Sequence, residues 1–203
     1  MKTLSKENLN QMANEMPSYE RTNSGDYIYI KQNGKLVDGN YKFTGKETHV
    51  VVVPENPTDG NTGIAIEIPQ GMQCKMQSGK DVNGKMGNWM VFNNTKAGDK
   101  KTYESEECFF KALSKATDVE WALASNSKTG GGKVFTSFES SGVNANPAYS
   151  GGYDTFIHNH GGSISESPIN SYDSGVWDYM RTHYEDYKFF GIYSEKDDDY
   201  YYY

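Results

Sequence analysis

Two cysteines in 203 residues, Cys74 and Cys108, are too few for a disulfide framework. Neither has a second cysteine or a histidine at metal-ligand spacing, so both are read as buried or incidental thiols. Positive charge is also short. Only 20 lysines and arginines stand against 27 aspartates and glutamates, a formal net charge of −7. No basic stripe is there to neutralise phosphates, which excludes nucleic acid as the main partner. Long apolar runs are missing as well, and nothing approaches the ~20 residues of a membrane-spanning helix. Residues 1–7 lead into polar sequence without the apolar centre of a secretory signal. Membrane insertion is therefore not expected, and three locations stay open: cytoplasmic, exported by a dedicated machine, or exported by a signal that lies outside this sequence.

Aromatic residues, by contrast, are plentiful: 16 Tyr, 9 Phe and 3 Trp in a chain that is only 35% hydrophobic. Rings in that number argue for an aromatic core rather than disorder. Residues 5–16 read as a short helix that Ser5 caps and Pro17 stops. From 26 to 92 the pattern turns to strands punctuated by Gly and Asn. Segments 27–30 and 39–43 flank Asn33-Gly34, a strong hairpin signal, and 49–53, 63–68 and 89–92 follow. The polar stretch 93–101 marks a boundary between a strand-rich N-terminal region, 1–100, and a C-terminal domain, 101–203. Beyond it, 105–116 reads as a helix capped by Ser105, with acidic residues in its first turn where the dipole favours them. Strands are expected at 120–124 and 133–138 around a glycine turn at 130–132, and again at 153–158, 189–193 and 200–203. A helix is expected at 174–187.

The chemistry concentrates in Thr155-Phe156-Ile157-His158-Asn159-His160-Gly161-Gly162, followed by Asp173. Side chains at i and i+2 of an extended segment point the same way, so His158 and His160 can face one point in space. Asp173 offers a third, oxygen ligand and leaves a fourth tetrahedral position for water, the arrangement of a catalytic rather than a structural zinc site. A second job for Asp173 is to cap the helix that follows it. Asp178 is a rival ligand placed inside that helix. His49, ahead of a run of valines, and His183, late in a helix, fall outside the group and are read as structural. The glycines at 130–132 precede Lys133 without the Gly-Lys-Ser/Thr of a phosphate loop.

The order of these residues resembles that of the JAMM (MPN) metalloproteases, in which a glutamate on an early strand precedes His-x-His and then Ser-x-x-Asp. Here Glu120 opens an apolar strand, His158-Asn159-His160 ends another, and Ser171-Tyr172-Asp173 opens a helix. The likeness covers residues 104–203 and is nearest to divergent bacterial JAB-like domains of the kind found in polymorphic toxins. It departs from the family in three places. Gly161 stands where the family has proline, the spacer from His160 to Asp173 is longer, and Asn170 occupies the family serine's place while Ser171 lies one residue on.

The resemblance implies an α+β fold with a mixed MPN-like (cytidine-deaminase-like) sheet and a zinc ion (Zn2+) on His158, His160 and Asp173. It implies Glu120 as general base, with Asp118 its nearest competitor. Ser171 is the first choice for oxyanion donor, with Ser167 and Asn170 behind it. The implied activity is zinc-dependent hydrolysis of a peptide or isopeptide bond in a protein or peptide substrate. Trp121 alternates to the face opposite Glu120 and belongs to packing. Two other readings stay open. One is a catalytically silent MPN-like binding module; the other is a toxin- or effector-associated recognition protein that works through residues 26–92.

Overall fold

The computed structural model describes residues 26–34, 47–53, 64–69, 71–94, 100–149, 152–160 and 171–203. The helix expected at 5–16 and the strand expected at 39–43 lie outside them. The described chain is α+β, with ten strands in two sheets and two α-helices. None of its helices is long and apolar enough to cross a membrane.

The first sheet holds β1 (Asp26–Lys31), β2 (Glu47–Val53) and β3 (Ile64–Glu67) in that order. The turn expected at Asn33-Gly34 forms, with the Gly34 N–H donating to the Lys31 carbonyl at 2.8 Å. Its expected second strand lies outside the described residues, and among those described β1 pairs parallel with β2. The turn also docks on the body of the protein. Gln32 accepts the Asp118 N–H at 2.8 Å, and a Cβ on Gly34 (φ 73°) would lie 2.7 Å from Val119.

The second sheet has seven strands, β4 (Met72–Lys80), β5 (Met86–Asn94), β6 (Ala122–Ser125), β7 (Gly132–Thr136), β8 (Thr155–Asn159), β9 (Phe189–Ser194) and β10 (Asp199–Tyr202). Their order is β10-β9-β8-β6-β7-β5-β4. Only β8 and β9 run parallel; the other pairs are antiparallel. This sheet runs straight through the boundary expected at 93–101, because β5 pairs with β7 from Met90↔Thr136 to Asn94↔Gly132. Strand β4 is an addition to the expected elements. It is a polar edge strand that buries Met72 and Cys74 and exposes Gln73 and Lys75, and Asn83-Gly84 turns it into β5. Neither Cys74 nor Cys108 is in a disulfide.

Helix α1 (Lys100–Ala116) packs on one face of the large sheet and α2 (Ser171–His183) on the other. Phe109, Phe110 and Leu113 of α1 share a core with Phe92, Trp121, Leu123, Ile157 and Tyr193, and with Ile28, Val50 and Ile66 of the small sheet. Met180 of α2 packs with Ala122, Ala124, Phe156 and Phe190. Helix α1 starts five residues before Ser105, so Ser105 and Glu106 lie within it and not at its first turn. Helix α2 runs three residues earlier at its start than expected and ends at His183, leaving Tyr187 buried in the following turn.

Glu106 is the consequence of that shift. It faces the sheet, fully buried, and neither carboxyl oxygen has a hydrogen bond of good geometry. Its room comes from Gly132, where a Cβ would stand 2.5 Å from Glu106 Oε2 and 2.7 Å from the Ala124 carbonyl oxygen. Burial pushes the carboxyl up from 4.5 to about 7, against a smaller lowering by Asn94. A carboxyl that holds its proton more tightly folded than unfolded makes stability fall as pH rises. The loss begins above 4.5 and is complete once pH has passed about 7. Glu106→Gln should therefore leave stability nearly unchanged at acidic pH and raise it in mildly alkaline buffer, by on the order of 3 kcal/mol. Urea unfolding of parent and variant across pH measures the difference; parallel pH curves would refute it.

Candidate metal centre

The ladder between β6 and β8 builds the site. It pairs Ala122 with His158 and Leu123 with Ile157. Continued two residues past the ladder, the same register sets Trp121 against Asn159 and Glu120 against His160. Alternation then places Glu120, Ala122, His158 and His160 on the α2 face of the sheet. Trp121 lies on the other face, fully buried in the α1 core.

Helix α2 brings Asp173 over the two imidazoles. His158 Nε2 lies 3.3 Å from Asp173 Oδ1, and His160 Nε2 lies 3.5 Å from Asp173 Oδ2. One ligand atom from each residue lies within 4.8 Å of the other two, and among the described residues this is the one such group. Both contacts are long for a charge-assisted hydrogen bond, which runs ~2.7–2.9 Å. They are near the roughly 3.3 Å that separates two ligands held ~2.0–2.1 Å from a tetrahedral ion, and they use different oxygens of the one carboxylate. His158, His160 and Asp173 could thus hold a metal ion.

The surroundings set the protonation. His158 is 4% exposed and Asp173 6%, with the rings of Phe156 and Phe190 packed 5.9 and 5.8 Å from that of His158. Burial holds His158 below the usual histidine range, against the pull of Asp173. A neutral imidazole is the form that binds metal. Its Nδ1 is buried without a hydrogen-bond partner, an orphaned polar atom that costs about 1–3 kcal/mol. His160 is less buried, and the hydrogen bond its ring donates to the Asp173 carboxylate raises it above the usual range.

Glu120 is 5% exposed. Burial pushes its carboxyl up to about 7, with His160 and the Val143 N–H pulling it down and Asp173 pushing it up. Its backbone is fixed on both sides. The Glu120 N–H donates to the Glu139 carbonyl at 2.9 Å, and Thr136 Oγ1 donates to the Glu120 carbonyl at 2.7 Å. A cleft of about 330 Å3 adjoins this segment, with Asp81, Lys85, Trp89, Glu139, Val143 and Asn144 in its walls. Trp89 Nε1 donates to the Asn144 carbonyl at 3.1 Å and ties the two walls together.

Other candidates stand elsewhere. Asp118 is exposed in the turn that docks on Gln32. Asp178 is exposed and pairs with Arg181 at 3.1 Å. His183 is exposed and stacks on Tyr179 with ring centroids 4.1 Å apart. His49 lies on β2. Ser171 is the first residue of α2; its side chain, like Ser167 and Asn170, lies outside the described residues. Sequence reasoning missed Asn159, which it saw only as the spacer of His-x-His. Asn159 is fully buried and bonds to both neighbouring strands.

In metal-free protein, NMR titration should find His158 neutral well below the usual midpoint and His160 titrating above it. Asp173→Asn should bring His160 down, because the hydrogen bond to Asp173 is the largest cause of its rise. An unmoved His160 midpoint would contradict the observed pairing.

No family model, curated protein or solved structure matches the chain. The reading of the site therefore stands on the chain's own geometry.

Proposed function

We infer that the chain is a zinc-dependent hydrolase of peptide or isopeptide bonds, of the JAMM/MPN-like type its residue order resembles. The observation that carries this reading is the convergence of His158, His160 and Asp173, with one ligand atom from each within 4.8 Å of the other two, and the buried Glu120 near enough to feel the charge of His160. Three protein ligands with one open position is the catalytic arrangement; structural zinc takes four.

Zinc held there would supply Lewis acidity and make water nucleophilic at neutral pH. Glu120 would take the proton from the attacking water and return it to the leaving amine. In the metal-free chain burial pushes this carboxyl up to about 7; a cation beside it would favour the ionised form that accepts a proton. Asp173 orients both imidazoles, and the Val143 N–H orients Glu120. Ser171, at the start of α2, is the first candidate to donate to the developing oxyanion. The cleft shares Glu139 and Val143 with the backbone contacts of Glu120, and a substrate chain would lie there.

Elemental analysis should find near-stoichiometric zinc in the parent and little in His160→Ala or Asp173→Ala. Glu120→Gln should keep its zinc yet cleave a proteome-derived peptide mixture or lysine-linked isopeptides on the order of 10²–10⁴-fold more slowly. A parent that stays metal-free after dialysis against zinc would sink the reading. A zinc-loaded parent that cleaves neither substrate would leave a silent MPN-like binding module in its place.

A further inference from the structure

The two ligand histidines flank Asn159, whose backbone and side chain do different work. Its N–H donates to the Trp121 carbonyl at 3.1 Å, as a regular antiparallel pair requires. The return bond is not regular. The Trp121 N–H, which such a pair would give to the Asn159 carbonyl, goes to Asn159 Oδ1 at 2.6 Å. The other end of the same carboxamide donates from Nδ2 to Glu195 Oε1 at 2.7 Å, just beyond the end of β9. One buried side chain thus bridges from β8 to both of its neighbours at the level where the ladders end: β6 at Ala122↔His158 and β9 at Asn159↔Tyr193. His160 is the first residue past that level, and Glu120 is the residue before Trp121.

We propose that Asn159 is the positioning residue of the metal centre: its carboxamide, held in one orientation by Glu195, fixes where β8 leaves the sheet and so sets His160 against Glu120. The proposal rests on the metal-centre reading above. The orientation has a chemical cause. A carboxylate only accepts, so Glu195 selects the Nδ2 end, which leaves Oδ1 for the Trp121 N–H. An amide turned the other way would set two acceptors against each other at Glu195 and two donors at Trp121. The carboxamide touches neither ligand atom nor reacting atom; it acts through the backbone that carries them.

The test loads parent and variants with cobalt(II) in place of zinc. It reads affinity by chelator competition and site geometry by visible absorption, with thermal unfolding followed alongside. Asn159→Ala should bind cobalt about 10–100-fold more weakly, the usual cost of removing a group that orients metal ligands, and its absorption bands should shift. Glu195→Ala, at the outer end of the chain of bonds, should fold like the parent and show a smaller loss in the same direction. Asn159→Asp alone sets two carboxylates face to face and should be impaired. Combined with Glu195→Gln, it restores the pair with donor and acceptor exchanged and keeps an acceptor for Trp121; affinity and absorption should return close to the parent's. Variants that lose thermal stability yet bind cobalt like the parent would overturn the proposal, since Asn159 would then serve only the fold. So would a double variant no better than Asn159→Asp. A parent that takes up no cobalt fails earlier, at the metal centre, and the proposal falls with it.

Discussion

The antiparallel register between β6 and β8 is the constraint on which the site depends. It brings together residues far apart in sequence, because the pairing of Ala122 with His158 carries Glu120 and His160 out of the sheet at the same end. Side chains alternate with a period of two, so a slip of one residue would exchange the faces of an entire strand. Such a slip is opposed from both sides. On the α1 side, Trp121, Leu123 and Ile157 are fully buried among phenylalanines; on the α2 side, small Ala122 and Ala124 leave room for Phe156 and Phe190. Exchanging them would force an indole into the space of a methyl group and carry Glu120 into the α1 core. Packing on the two faces thus sets the geometry of the polar groups at the strand ends.

Helix α2 completes the site by lying where the apolar pattern puts it. Met180 is fully buried against the sheet, and Trp177 packs with its ring centroid 5.5 Å from that of Phe190. These contacts, one to two turns along the helix, aim its N-terminal end at the histidines. Asp173 then falls in the first turn, where the helix dipole favours a carboxylate. Phe190 also packs against His158 and Tyr203. The ring that anchors the helix is therefore part of the wall that desolvates His158.

What the sequence revealed and what it hid divide along local and tertiary lines. The spacing of His158 and His160 on one strand face, the carboxylate at the head of a helix and the opposite facing of Trp121 all follow from period and position, and the structure has them there. Asn159 was hidden because its partners, Trp121 and Glu195, lie 38 and 36 residues away, and nothing local marks a buried asparagine. Glu106 looked like an ordinary first-turn acid. Only the earlier start of α1 and the missing side chain at Gly132 turn it toward the sheet. Strand β4 carries too little apolar sequence to stand out, and the polar stretch after β5 suggested a boundary that the pairing of β5 with β7 spans. The hairpin signal at Asn33-Gly34 did make a turn, but contacts to Asp118 and Val119 use it as an anchor.

The charge balance gives an independent argument for a cation. Burying an unpaired carboxylate is costly, and proteins avoid it by protonation, pairing or metal ligation. This site buries two, Glu120 and Asp173, near enough that each charge opposes the other. Against them the protein sets His158, which burial drives neutral, and His160, which can hold one positive charge. With Glu120 ionised, the group is left negative in a wall of phenylalanine. Burial is what pushes Glu120 up to about 7, toward its protonated form. A divalent ion between the imidazoles and Asp173 would offset both carboxylates and would require neutral histidines, the direction in which burial already drives His158.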